Sequence, residues 1–213
     1  MDPVALQDAI SRGMGVAALK LGALCDAYRP RSAQNPLGPA NRYLRLAASF
    51  NAEDPTYRKP SGYGRATWFG VFDSAYTRPG DYLSGPPGVF FIAAQQPLLP
   101  VLCVLTNRTL SAIRPAAPSS PGVNTYGGLN AANATPLLTA WPASILAIGG
   151  GQSTDVTLPG DTKIPFWSVL LPATPVTLRS SDIFSDDLGR SFVISSAELS
   201  SLGWRLVVKQ AAT

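Results

Sequence analysis

A segment beginning at residue 78 occurs twice in this chain. Arg78, Asp81, Ser84, Gly88 and Phe91 return 101 residues later as Arg179, Asp182, Ser185, Gly189 and Phe192, and three further positions match as apolar. The two copies align without a gap, and turn, glycine and apolar run keep their order. A repeat of this kind implies one supersecondary unit used twice. The chain is therefore expected to be mainly β, with two similar small β-barrel or sandwich modules in tandem. Carried forward, the offset sets residues 103–105 against 204–206 and Arg108 against Lys209.

Composition agrees with many short strands. Hydrophobic residues make up 46% of the 213, charged residues only 14%, and 19 glycines and 20 prolines supply frequent turns. That balance describes a folded chain with enough apolar material for a sizeable core. The net charge of +4 is unevenly spread. It is concentrated at Arg29, Arg31, Arg42, Arg45, Arg58, Lys59 and Arg65, a basic stretch that suits DNA phosphates or an acidic partner, or else a solvated loop. Cys25 and Cys103 both lie in apolar settings and are expected as buried free thiols. The start carries no basic leader or cleavage site, and no apolar run reaches bilayer length, so synthesis in a cytoplasm and no membrane contact are expected.

Along the chain, Asp2 and Pro3 open a helix as cap and first residue. Leu6, Ile10, Met14, Ala17, Leu21 and Leu24 then mark one apolar face of a helix covering residues 1–27. That face is expected to lie on the protein's own β-domain or on a neighbouring subunit. Residues 28–64 read as a Pro-rich basic arm with one strand at 43–46. The first β-module spans 65–115, with strands at 67–72, 89–93, 101–106 and 109–113 and a crossing segment at 95–100. Residues 116–133 read as the linker, with 115–122 its clearest Pro-rich part. The second module spans 134–213, with a strand broken at Pro142 and others at 167–171, 176–178, 191–195 and 204–209. Asp186 and Asp187 before Gly189 mark a hairpin turn.

Few residues suggest chemistry. Histidine is absent, which removes the commonest general base and metal ligand and excludes a Ser-His-Asp triad. Two distant cysteines offer zinc no ligand set. Residues 149–154 look like a phosphate loop but lack the lysine and the following helix. Asp182, Asp186 and Asp187 are better explained by turn formation than by a cation. The repeated pairs Arg78/Asp81 and Arg179/Asp182 are read as local devices that fix equivalent turns. Trp68, Trp167 and Trp204 are expected in the core and Trp141 nearer the surface. Neither an enzymatic activity nor a cofactor is expected.

The run from Arg65 to Phe72, then residues 79–83 and 90–100, resembles structural proteins of tailed bacteriophages and prophages of Proteobacteria. Residues 179–190, with 192–194 and 204–209, look like the small β-barrel of phage head-completion proteins. The resemblance covers most of 65–114 and 165–213. It implies a non-enzymatic virion protein of the head-to-tail connector, an adaptor or stopper in a cyclic homo-oligomeric ring between portal and tail. It also implies neighbouring virion proteins as partners and non-specific contact with packaged DNA through the basic arm. A capsid decoration protein or a tail or baseplate component is the nearest alternative. A carbohydrate-binding β-domain is another, with Trp141 beside Asp155 or Asp161 as its candidate site.

Overall fold

A computed structural model of the protein describes residues 2–52, 66–116, 134–148 and 166–211. Helix α1 (Pro3–Leu21) starts as expected: the Asp2 carboxylate accepts from the Val4 amide at 3.1 Å, and Pro3 occupies the first turn. It ends well before residue 27. The Gly22 amide closes the last turn on the Ala18 carbonyl at 2.8 Å. The chain then passes directly into β1 (Ala23–Tyr28). The apolar spacing that carries the helical period on to Leu24 is followed by alternation, which puts Cys25 and Ala27 inside a barrel.

Strands β1, β2 (Arg42–Ala52), β3 (Thr67–Val71), β4 (Tyr82–Gly85), β5 (Gly88–Ala94) and β6 (Val101–Leu105) close a barrel in the order β1-β2-β3-β6-β5-β4. Strands β7 (Arg108–Arg114), β8 (Thr135–Ala147), β9 (Phe166–Leu171), β10 (Ile183–Asp186), β11 (Ser191–Ser200) and β12 (Gly203–Gln210) close a second in the order β7-β8-β9-β12-β11-β10. The two topologies are the same, so tandem β-modules are present and both are closed. Closure leaves each barrel with no unpaired edge around most of its wall.

The modules begin and end elsewhere than the sequence suggests. The stretch read as an arm contains β2, which pairs with β1 and β3. Only Thr106 and Asn107 separate the barrels, and β7 belongs to the second. Residues 115–134 therefore join β7 to β8 within barrel 2 instead of linking the modules. The Pro-rich segment at 115–122 is thus not at a domain boundary, and residues 117–133 lie outside the described residues. Residues 95–100 connect antiparallel neighbours and do not cross over. Residues 176–178 form no strand, although Leu178 is buried against the core. Strand β8 is interrupted between Leu138 and Trp141, where Ala140 has φ 55°, and not at Pro142, which pairs with Thr109.

The repeat also has a gap. Tyr82 faces Phe91 in barrel 1, whereas Ile183 faces Val193 in barrel 2, so the second hairpin turn holds one residue more. Phe90 and Phe192 are thus counterparts. Each meets a tryptophan edge-on at 6.2 Å, Trp68 in one barrel and Trp167 in the other. A bulge follows at the same place in both, between Ile92 and Ala94 and between Ile194 and Ser196. Cys103 lies opposite Trp68 and Val208 opposite Trp167, so the counterpart of Cys103 is Val208 and not Trp204. The cause is the longer β11–β12 hairpin. Arg108 opens β7 and has no relation to Lys209.

Alternation along β4, β5 and β6 divides their side chains between two cores. Leu83, Phe90, Ile92 and Cys103 pack inside barrel 1. Tyr82, Phe91, Ala93 and Val104 point the other way and join the core of barrel 2. The Tyr82 ring meets Trp141 edge-on at 6.2 Å, and its hydroxyl donates to the Pro142 carbonyl at 2.9 Å. The Ala33 carbonyl, from the β1–β2 connection, accepts from Trp141 Nε1 at 2.8 Å and from the Thr139 amide at 3.0 Å. The outward side of barrel 1 is therefore part of the core of barrel 2, while the interior of barrel 1 is a separate cluster.

Candidate functional site

Each barrel holds one aspartate in the turn before its fourth strand. The two carboxylates are 1% and 2% exposed, and each is held by an arginine from the end of the first strand. Arg29 donates to Asp81 through Nε at 2.9 Å and Nη2 at 2.7 Å, and also to the Tyr76 carbonyl at 3.2 Å. Arg114 donates to Asp182 through Nε and Nη2, both at 2.8 Å, and to the Thr177 carbonyl at 2.9 Å. The hydrogen bond to the carboxylate raises the pKa of each guanidinium above its ordinary value. Barrel 1 adds Tyr43, whose hydroxyl donates to Asp81 at 2.7 Å while Arg29 lies over its ring. Burial, reinforced by Asp81, pushes the Tyr43 phenol up from its usual value. A two-pronged, charge-assisted contact of this kind ties the first strand to the fourth-strand turn.

These are structural locks, and the aspartates were legible where their partners were not. Arg78 lies 3.8 Å from Asp81 and is 62% exposed. Its main contribution is its backbone amide, which donates to Asp81 at 3.0 Å, as the Arg179 amide donates to Asp182 at 2.8 Å. The local device expected at Arg78/Asp81 and Arg179/Asp182 is thus present in both turns, as a bond from the arginine's backbone amide to the aspartate side chain. The arginine side chains that complete each lock come from 52 and 68 residues away in sequence. One signal was present: alanine, an unlike residue, then arginine closes β7 at 112–114 and recurs at 27–29, where β1 ends one residue before the arginine.

Of the four described members of the basic stretch, three are held by carboxylates of the same chain. Arg29 holds Asp81, while Arg42 and Arg45 lie 2.7 and 3.5 Å from Asp26. Asp26 Oδ1 accepts no aligned hydrogen bond there, so its pairing is Coulombic more than directional. Arg31 is exposed and has no ion pair among the described residues. Arg58, Lys59 and Arg65 lie outside the described residues.

Nothing described assembles a reactive centre. Among the described residues no group of three or more Asp, Glu, Cys or His is placed to hold a metal. Asp186 is occupied by Arg190, whose Nε donates at 2.8 Å and whose amide donates at 2.8 Å, within the expected turn. Cys25 and Cys103 are buried free thiols, and burial raises the pKa of both. Trp141 is fully buried, against the expectation that it lies near the surface. The loop at 149–154, Asp155 and Asp161 lie outside the described residues. Trp68 and Trp167 have buried Nε1 atoms with no hydrogen-bond partner, and we have no physical account of that shared feature.

The unusual surface is apolar. Helix α1 lies on β2 and β3, but through Gln7, Ser11, Gly15, Ala18 and Gly22, not through its apolar stripe. Ser11 and Ser74 share a hydrogen bond at 3.1 Å, and Gly22 approaches the Ala48 carbonyl so closely that a Cβ would sit 2.4 Å from it. Small residues win the barrel-facing side because close backbone approach leaves no room for leucine. Val4, Val16, Leu19 and Leu21 are left in solvent, Leu21 at 77% exposure. Among the described residues no helix is long and apolar enough to cross a membrane, which says nothing about strands. Compared with known proteins, the chain matches no family model, no curated protein and no solved structure.

Proposed function

We propose that this protein is a non-enzymatic structural component of a tailed-phage virion, part of the head-to-tail connector ring between portal and tail. The observation that carries an assembly role is the helix that spends its small and polar side on its own barrel and leaves large apolar side chains in solvent. Val4 and Leu6 at its start and Val16, Leu19 and Leu21 at its end are all exposed, which marks a contact waiting for a partner. Two closed barrels, the outer side of one packed into the core of the other, supply the rigid body such a contact needs. The ionisable groups buried in them are used to fasten turns. The connector position itself rests on the resemblance of residues 65–114 and 165–213 to phage head-completion and related virion proteins. In that setting Arg31 is the described member of the basic stretch left free to meet DNA.

The test is to add purified protein to virion particles that lack it and count copies by quantitative mass spectrometry and electron microscopy. Incorporation as one ring at a unique vertex is the expected result. Hundreds of copies spread over the shell would make it a decoration protein instead. Failure to join particles at all would overturn the virion reading.

A further inference from the structure

We infer that copies of this chain associate head to tail, with the β11–β12 hairpin tip of one copy seated in a groove beside α1 of the next. The groove, of about 510 Å³, lies between the first turns of α1 and the β5–β6 loop. Val4, Leu6, Leu98 and Leu99 give it an apolar lining, and all four are exposed. Leu98 is held in the left-handed region at φ 64°, a conformation a branched residue adopts only when its surroundings fix it. The fixing group is Gln7, whose Oε1 accepts from the Leu98 amide at 2.9 Å. The wall of the groove is thus built, not a loose loop.

The other half of the contact is on barrel 2. Beyond its bulge β11 runs on to Ser200, whereas the counterpart strand β5 stops at Ala94. The extra length pairs only with β12 and ends in a tip where Leu199 and Leu202 are both exposed. A convex apolar tip and a concave apolar groove on different barrels make a heterologous pair, which repeats from copy to copy.

Charge supports the match. Asp8 lines the groove, and Arg12 follows one helical turn later, a separation of about 5–6 Å between their Cβ atoms. On the hairpin, Glu198 and Arg205 face each other across the ladder, about 4.5–5.5 Å apart. All four side chains are exposed, and none has an ion-pair partner among the described residues. Seating the tip in the groove sets Asp8 against Arg205 and Arg12 against Glu198, two opposite-charge pairs at matching spacing.

The inference supplies the subunit contact that the ring reading requires, and it is tested without particles. Sedimentation velocity over a range of concentrations measures self-association of the full chain and its variants, with melting curves to confirm folding. Leu199→Ser with Leu202→Ser is expected to abolish association while leaving the fold intact. Asp8→Arg alone and Arg205→Glu alone are each expected to weaken it roughly tenfold, and the two together to restore most of the loss. A double reversal no better than either single variant overturns the contact, as does normal association of the serine variant. A wild-type protein that is monomeric at every concentration also overturns it. If that monomer still joins particles at one vertex, the neck reading stands and only this contact falls.

Discussion

At the residue scale the two aspartate locks show how a buried charge is made tolerable. Asp81 and Asp182 each receive two guanidinium hydrogen bonds and a backbone amide, so the carboxylate keeps partners after losing water. Removing the arginine strands that charge. Arg29→Ala and Arg114→Ala are expected to cost roughly 3 kcal/mol each, the low end for a broken buried pair because both arginines are partly exposed. Arg78→Ala, in contrast, is expected to stay within about 0.5 kcal/mol, as for an exposed surface charge. Denaturant unfolding of the three variants decides between them. Equal losses at Arg78 and Arg29 would restore the local pair as the operative one. The locks differ in one respect, since Leu137 occupies in barrel 2 the place of Tyr43, as the pairing of Leu44 with Ala27 and Leu138 with Ala112 shows.

At the element scale the glycines of α1 separate close approach from open surface. A Cβ on Gly22 would lie 2.4 Å from the Ala48 carbonyl, and on Gly15 it would lie 2.9 Å from Asp73 Cβ, whereas around Gly13 nothing lies within 4 Å. Gly13→Ala should therefore stabilise by up to about 1 kcal/mol through helix propensity alone. Gly22→Ala should push the helix off β2 and lower the melting temperature by several degrees (about 2–4 °C per kcal/mol at this size). Differential scanning calorimetry of both variants checks the sign, and a Gly22→Ala protein as stable as wild type would mean α1 is not docked as described. These contacts also mark what was legible. The helix start was, because Asp2 and Pro3 act locally. The barrel-facing side was not, because the apolar stripe is the stronger periodic signal and it lies to one side of the face that docks, with Leu6 and Leu21 exposed and Ile10 and Met14 half-buried. Strands β3, β5, β6, β9 and β12 were readable from branched and aromatic runs. Strand β1 was hidden behind a helical pattern that continues across Gly22, and β2 was read only over 43–46 and as part of an arm, not as a barrel strand. The arginine partners of the locks were out of reach of any reading confined to neighbouring residues.

At the scale of the whole molecule the duplicated barrels stack in series. Barrel 1 covers β8 of barrel 2 with the outward residues of β4–β6, and α1 covers β2, the counterpart of β8, on barrel 1. The helix thus occupies on barrel 1 the place that barrel 1 occupies on barrel 2. At the far end, Ile183, Val193 and Lys209 stand where Tyr82, Phe91 and Val104 stand in barrel 1. Smaller side chains and one charge replace the docking residues, so that face closes the series as a terminal repeat does. Because Tyr82, Phe91, Ala93 and Val104 belong to the core of barrel 2, the barrels should not unfold independently. A single calorimetric transition is expected for the intact protein. Tyr82→Ala removes a fully buried ring that meets Trp141 and a hydrogen bond to Pro142, and should cost roughly 3–5 kcal/mol, as for a large-to-small core change. The same variant should also split the transition in two, because what it removes is the join and not the interior of either barrel. Two transitions already present in the wild type would show that this packing does not couple the barrels.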